Sequence, residues 1–194
     1  MILNPALELA VADFRKSGLK EIDLRSGAAL DAEKITVRYL NCDYSIYLPQ
    51  IEWAEGVSLR EKIVILHYLT RSKGTPPSGR QIDFREVPGG NLYYSIFEAR
   101  VCRPLLKTFG NNPELIEKAF SPLNGKMANW GDFSIVIPVF PKVPVTFVIY
   151  KGDGELPANC KVLFDSGISD YLTTEDIVVV CEDTTSALIN NVCS

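Results

Sequence analysis

Chemistry in this chain has to be sought first at His67, because it is the only histidine among 194 residues. An imidazole can donate to a metal through one ring nitrogen while a partner orients the other, and it titrates near neutral pH. The residue follows Leu66 directly and Ile63 by one helical turn, at the margin of an apolar helix face. A packed histidine bonded to a loop carbonyl competes with the ligand role at such a place. Ser-His-Asp or Cys-His catalysis would have to pass through the same ring. No G-x-S-x-G elbow or other nucleophile context accompanies it. One histidine and no nucleophile motif favour binding over catalysis.

The stretch Val87-Pro88-Gly89-Gly90-Asn91 precedes a helical pattern. Glycines there let backbone approach a ligand, and free amides at a helix start attract a phosphate or carboxylate. Neither nucleotide-binding glycine fingerprint is met, and a Gly-Gly turn feeding an Asn91 cap is the plainer reading. With Arg85 beside it the stretch is the preferred anion-binding candidate, with Arg80, Arg100 and Arg103 as helpers. Tyr93, Tyr94 and Phe97, together with Trp130 and Phe133, would suit a pocket for a flat ligand, although such spacing also suits a core.

A second candidate is acidic. KGDGELPANCKVLFDSG (151–167) holds Asp153, Glu155 and Asp165, oxygen donors that a hard divalent cation would accept, with Asp132 upstream. They do not follow the spacing of a calcium loop. Gly152-Asp153-Gly154 after a β-rich run is also what a turn between strands requires. Five cysteines (Cys42, Cys102, Cys160, Cys181, Cys193) lie far apart with no C-x-x-C, which reads as reduced thiols of a cytoplasmic protein.

Composition narrows the classes further. Hydrophobic residues make up 46% and charged ones 23%, an ordinary globular balance. The net charge of −4 has no basic block, which disfavours nucleic acid. No apolar run approaches the roughly 18 residues that span a bilayer, and the first residues do not read as a secretory signal.

The elements that must position these residues can be read in order. Asn4-Pro5 opens a helix with Leu7, Ala10, Val11 and Phe14 on one face, and Gly18 stops it. RSGAALDAE reads as a link. Residues 34–40 and 44–48 alternate as strands around an Asn41-Cys42-Asp43 loop. Ser58 to Glu61 is a capping box, opening a helix to about Ser72 whose face is Leu59, Ile63, Leu66 and Thr70. SKGTPPSGRQ is then a loop. Asn91 caps a helix that Pro104 kinks, and Asn112-Pro113-Glu114 starts another. Strands 133–140, 143–150 and 160–164 follow, with Pro138 and Pro144 at an edge, strand end or bulge. Thr173 caps a last helix, despite the strand preference of Val178-Val179-Val180. Grouped strands with short links predict a single α+β domain over 1–194, a mainly antiparallel sheet packed against four or five helices.

FREVPGGNLYYSIFEARVCRPLLKTFG (84–110), VFPKVPVTFVIYKGDGELPANCKVLFDSG (139–167), YLTTEDI (171–177) and LREKIVILHYL (59–69) together resemble a prokaryotic family catalogued as domain of unknown function 3786. The resemblance spans 57–177. Its members look typical of anaerobic bacteria and archaea, and some carry an added iron–sulfur segment like that of corrinoid proteins; this chain shows no such cysteine cluster. Where the family has two acids after Gly152-Asp153, this chain has Gly154-Glu155. The resemblance implies corrinoid (cobalamin) or one-carbon metabolism by association.

The expectation is therefore a cytoplasmic, non-catalytic protein that binds a ligand or a corrinoid cofactor. Its site would comprise His67, Arg85, Pro88, Gly89, Gly90, Asn91, Tyr93 and Trp130. The alternatives are a small metal-dependent enzyme using Asp153, Glu155 and Asp165, or an interaction subunit for an iron–sulfur/corrinoid protein.

Overall fold

The computed structural model describes residues 4–153 and 155–193, with the side chain of Cys193 also outside the description. Helix α1 runs Pro5–Ser17, its first turn closed by the Asn4 side chain accepting from Ala6 N at 3.0 Å. The link after it is not structureless: it holds a short helix α2 (Ile22–Ser26) and strand β1 (Ala29–Leu30). Strands β2 (Lys34–Tyr39), β3 (Cys42–Tyr47) and β4 (Glu52–Trp53) complete an antiparallel sheet in the order β1-β2-β3-β4. The hairpin loop is shorter than expected. Tyr39 faces Cys42, and only Leu40 and Asn41 turn, with φ of 48° and 64°. Both values lie in the left-handed region that matches strand twist in a two-residue hairpin. Cys42 and Asp43 thus belong to β3, and Asp43 pairs with Arg38 across the strands at 2.9 Å.

Helix α3 (Leu59–Arg71) has both halves of its capping box in place. Its buried residues are Val64, Ile65, Leu66, Tyr68 and Leu69, whereas Leu59 is exposed. The expected face is therefore rotated. Helix α1 packs against one flank and α7 (Thr174–Cys193) against another, so α3 is covered on two sides. A single-stripe reading cannot describe such a helix.

The second sheet has the order β5-β9-β8-β7-β6, all antiparallel: β5 (Gln81–Asp83), β9 (Asn159–Asp165), β8 (Val143–Tyr150), β7 (Phe133–Phe140) and β6 (Lys126–Ala128). Pro138 and Pro144 face each other beside a register shift, so two residues without amide protons share one gap in the ladder. The predicted strands are all present, but they form two sheets rather than one. Leu40 N donates to Val139 O at 3.0 Å and joins them. An aromatic column binds this junction to α3: Phe140 stacks on Tyr68 at 4.0 Å and on Tyr39 at 4.7 Å. The Tyr68 hydroxyl donates to Ser26 O and accepts from Lys142 N, so its buried polar end is satisfied.

Helix α4 (Gly90–Phe97) continues through a π-turn (Glu98–Cys102) into α5 (Arg103–Phe109). The break anticipated at Pro104 takes this form. Proline offers no amide proton to the carbonyl of Arg100, and Arg103 N bonds Glu98 O five residues back. The helix expected from Asn112 is split into a 3-10 turn (Pro113–Leu115), α6 (Ile116–Ala119) and another 3-10 turn (Ser121–Leu123). In α7, Val178 and Val180 are buried on the helix, where packing overrides their strand preference. The fold is α+β, with one continuous core. Among the described residues no helix is long and apolar enough to cross a membrane.

Candidate functional site

His67 faces the first turn of α7. Its Nδ1 lies 2.8 Å from Oδ1 of Asp176, a carboxylate only 7% exposed. The other carboxylate oxygen accepts from Thr173 N at 3.1 Å and Thr173 Oγ1 at 2.7 Å, and Thr173 Oγ1 accepts in return from Asp176 N. The cap of α7 therefore fixes the carboxylate, and the carboxylate fixes the imidazole. With the carboxylate as acceptor, Nδ1 carries the proton and the neutral ring presents its lone pair at Nε2. Nδ1–Asp176 is the one hydrogen bond of the ring among the described residues, and 36% of the side chain is exposed. The Asp176 hydrogen bond raises the His67 pKa against partial burial; Arg71 on the same helix opposes it and Asp13 of α1 adds to it. The orienting partner stands 109 positions away, so only the fold discloses it.

The same first turn touches the glycine loop: Thr174 Oγ1 donates to Pro88 O at 2.6 Å. Gly89 takes φ 76° and is the N-cap of α4, which starts at Gly90; Asn91 is an exposed residue of the first turn and not the cap. A side chain at Gly90 would collide with the carbonyl of Phe84, so this glycine serves close packing rather than ligand approach. Gly90 N already bonds Val87 O at 2.7 Å and Leu92 N bonds Gly89 O at 3.1 Å. Those amides are spent inside the turn, which weakens the anion reading. The expected helper arginines are engaged as well: Arg80 with Glu86, Arg100 with Glu182, Arg103 with Glu98.

Arg85 lies over the ring of Tyr94, 3.7 Å from its centroid. The pair walls a cavity of about 290 Å³ with Asp83, Glu98, Cys102 and Cys160. Phe97 lines it too while stacking on Phe84 in the core, whereas Tyr93 stands exposed beside Leu92 and Ile96 on α4 and does not join it. Trp130 is 52% exposed in the β6–β7 turn, at the opposite edge of the sheet from β5. Four strand spacings, roughly 19 Å, separate those edges. His67, the glycine loop and α7 thus meet, whereas Trp130 is remote.

The acids are dispersed. Asp153 Oδ1 accepts from Glu155 N at 2.9 Å and Leu156 N at 2.7 Å, a turn-forming role, with Gly154 outside the described residues. Asp132 Oδ2 accepts from Lys151 N. Asp165 stands at the other end of β9, where Oδ2 accepts from Ser78 Oγ at 2.9 Å and Gly79 N at 3.0 Å, and Oδ1 from Gly167 N at 2.9 Å. Asp153 and Glu155 therefore do not converge with Asp165. Among the described residues no three histidines, cysteines or acids are placed to hold a metal ion.

Asp165 fastens the loop after α3, and that loop builds a cavity of about 630 Å³. Its walls are mostly apolar: Pro76, Pro77, Pro138, Phe140 and Val143, with Lys142, Gln81, Asp165 and Tyr171 as polar points. The Tyr171 hydroxyl donates to Thr75 O, and Asp170 accepts from Thr75 Oγ1 and pairs with Lys73, so the loop is pinned at several points. Sequence reasoning saw a proline-rich loop here and no site. The density of Pro and Gly in 74–79 and the facing prolines of β7 and β8 were the available signal.

A family model described as domain of unknown function (DUF3786) matches residues 18–187. That span takes in the first hairpin and most of α7, beyond the stretch that the sequence motifs cover. No curated protein and no solved structure matches the chain.

Proposed function

We propose that this chain, which belongs to the DUF3786 family, is a ligand-binding protein rather than an enzyme. The observation that supports this reading is the cleft of about 630 Å³ between the pinned loop and the β7–β8 turn. Its volume falls in the range of small-molecule sites, and apolar walls with a few polar points suit an aromatic or alicyclic body bearing an anionic group opposite Lys142. An anilinonaphthalene sulfonate dye is a direct probe. Its fluorescence should rise with the folded protein and fall back in Gln81→Trp, which fills the cleft from an exposed position, while the melting temperature stays unchanged. Equal dye response in both proteins removes the cleft as the site.

The Asp176–His67 pair favours a second reading, in which His67 donates Nε2 to the cobalt of a corrinoid bound against α3 and α7. One imidazole, oriented by Asp176 through Nδ1, is the kind of nitrogen donor such a metal would take. His67 would hold the metal through Nε2, with Asp176 fixing the opposite ring nitrogen. Aquocobalamin mixed with the protein should shift its visible bands, and His67→Ala should abolish the shift. Unchanged bands and separate elution on gel filtration would remove this reading while leaving the cleft untouched.

A further inference from the structure

We infer that Cys102 and Cys160 form a reactive dithiol site, which a small hydroperoxide reaches through the cavity beside Arg85 and oxidises to a disulfide. Three observations converge. Both cysteines are nearly buried, yet both line the same cavity of about 290 Å³, so the thiols have an approach that ordinary core cysteines lack. The two cysteines stand on two elements in direct contact, the π-turn and β9. Cys102 is the last residue of that π-turn, an insertion of the kind that recurs at functional sites, and Glu98, which opens it, lines the same cavity.

The roles of the two sulfurs follow from their surroundings. The neighbouring Cys160 thiol lowers the Cys102 pKa; burial and Glu98 oppose this and Arg85 assists it. Cys160 shifts the other way, raised by its Cys102 neighbour and by burial, and stays protonated. The Cys102 thiolate attacks one peroxide oxygen, the O–O bond breaks, and hydroxide or alkoxide leaves and takes up the proton that Cys102 lost. The resulting sulfenic acid is attacked by the sulfur of Cys160; an S–S bond forms, and water departs with the Cys160 proton. Two thiols are oxidised by two electrons and one hydroperoxide is reduced to water plus water or an alcohol.

The molecule carries its own controls. Cys181 is fully buried in α7 and does not line the cavity, and Cys42 is exposed in the first sheet with no thiol partner among the described residues. The experiment is a peptide map of the folded, full-length protein under non-reducing conditions after treatment with hydrogen peroxide. A Cys102–Cys160 cross-link with Cys181 still reduced is expected. Cys160→Ala should stop at a Cys102 sulfenic acid trapped by dimedone, and Cys102→Ala should leave Cys160 a free thiol. The wild-type map decides even if a variant fails to fold. Oxidation confined to Cys42, or a sulfenic acid trapped on Cys160 instead, overturns the proposal.

Discussion

Replacing Asp165 with Ala separates two roles that this carboxylate can play, fastening the 74–79 loop or holding a cation. It accepts three hydrogen bonds, from Ser78 Oγ, Gly79 N and Gly167 N, between 2.9 and 3.0 Å. A bond to a charged group brings about 1.5–3 kcal/mol when desolvated, but the two from the loop are exposed and water replaces them in part. Counting each near the low end of ordinary bonds gives a loss of about 2 kcal/mol. For a domain of this size that corresponds to a fall in melting temperature of about 4–8 °C. Burial pushes the Asp165 carboxyl up, yet the bonds from Gly167, Ser78 and Gly79 outweigh it and hold its pKa below the usual value. A depressed folded pKa means that the contribution is present above the ordinary value of about 3.9 and disappears as pH falls through the lower one. The gap between wild type and Asp165→Ala should therefore be full at neutral pH and close in strong acid. Dye binding in the cleft should weaken in parallel, because the loop that forms its wall is released. Asp165→Asn keeps one oxygen acceptor and should lose about half as much. Equal melting of the variant and wild type at neutral pH, with a chelator destabilising the wild type alone, would refute loop fastening and restore the cation role.

The pair His67–Asp176 should stabilise most in acid. Because the histidine pKa is raised, its contribution is complete below the ordinary value of about 6.5 and fades as pH rises through the folded one. Melting curves of wild type and His67→Gln should converge toward alkaline pH. Gly90→Ala drives a methyl group into the Phe84 carbonyl and should cost about 1–3 kcal/mol in urea unfolding. Phe140→Ala removes the ring between Tyr39 and Tyr68 and should cost about 3–5 kcal/mol by the same measurement, with increased dye uptake because Phe140 also floors the cleft.

Much of the architecture is legible where local physics is decisive. The Ser58–Glu61 capping box, the Asn4 cap and the β-rich runs at 133–140 and 143–150 each contain their own explanation, and each is present. Strands β1, β4, β5 and β6 are two or three residues long, too short to show alternation, and exist only because a longer partner supplies the ladder. Asn91 is a good capping residue that the backbone passes over, since the close approach at Phe84 demands glycine at 90 and the helix starts two residues earlier than an Asn91 cap would place it. The rotation of α3 has a tertiary cause, its burial against both α1 and α7. The candidate site suffers most from this blindness. His67 was visible as a lone imidazole, but Asp176 read only as an acid in the first turn of a helix. Cys102 and Cys160, 58 positions apart, carried no spacing signal that could announce their shared cavity.

The five-stranded sheet is closed on each side by a strand of three residues, Gln81–Asp83 and Lys126–Ala128. Each border exposes only a few unpaired amides and carbonyls, and each carries a charged or amide side chain that a neighbouring molecule would have to desolvate. Blunted borders of this kind deny a second chain a template on which to extend the ladder. The oily ribbons at the centre of the sheet can therefore be as apolar as they are without seeding filaments, so long as both short margins stay docked.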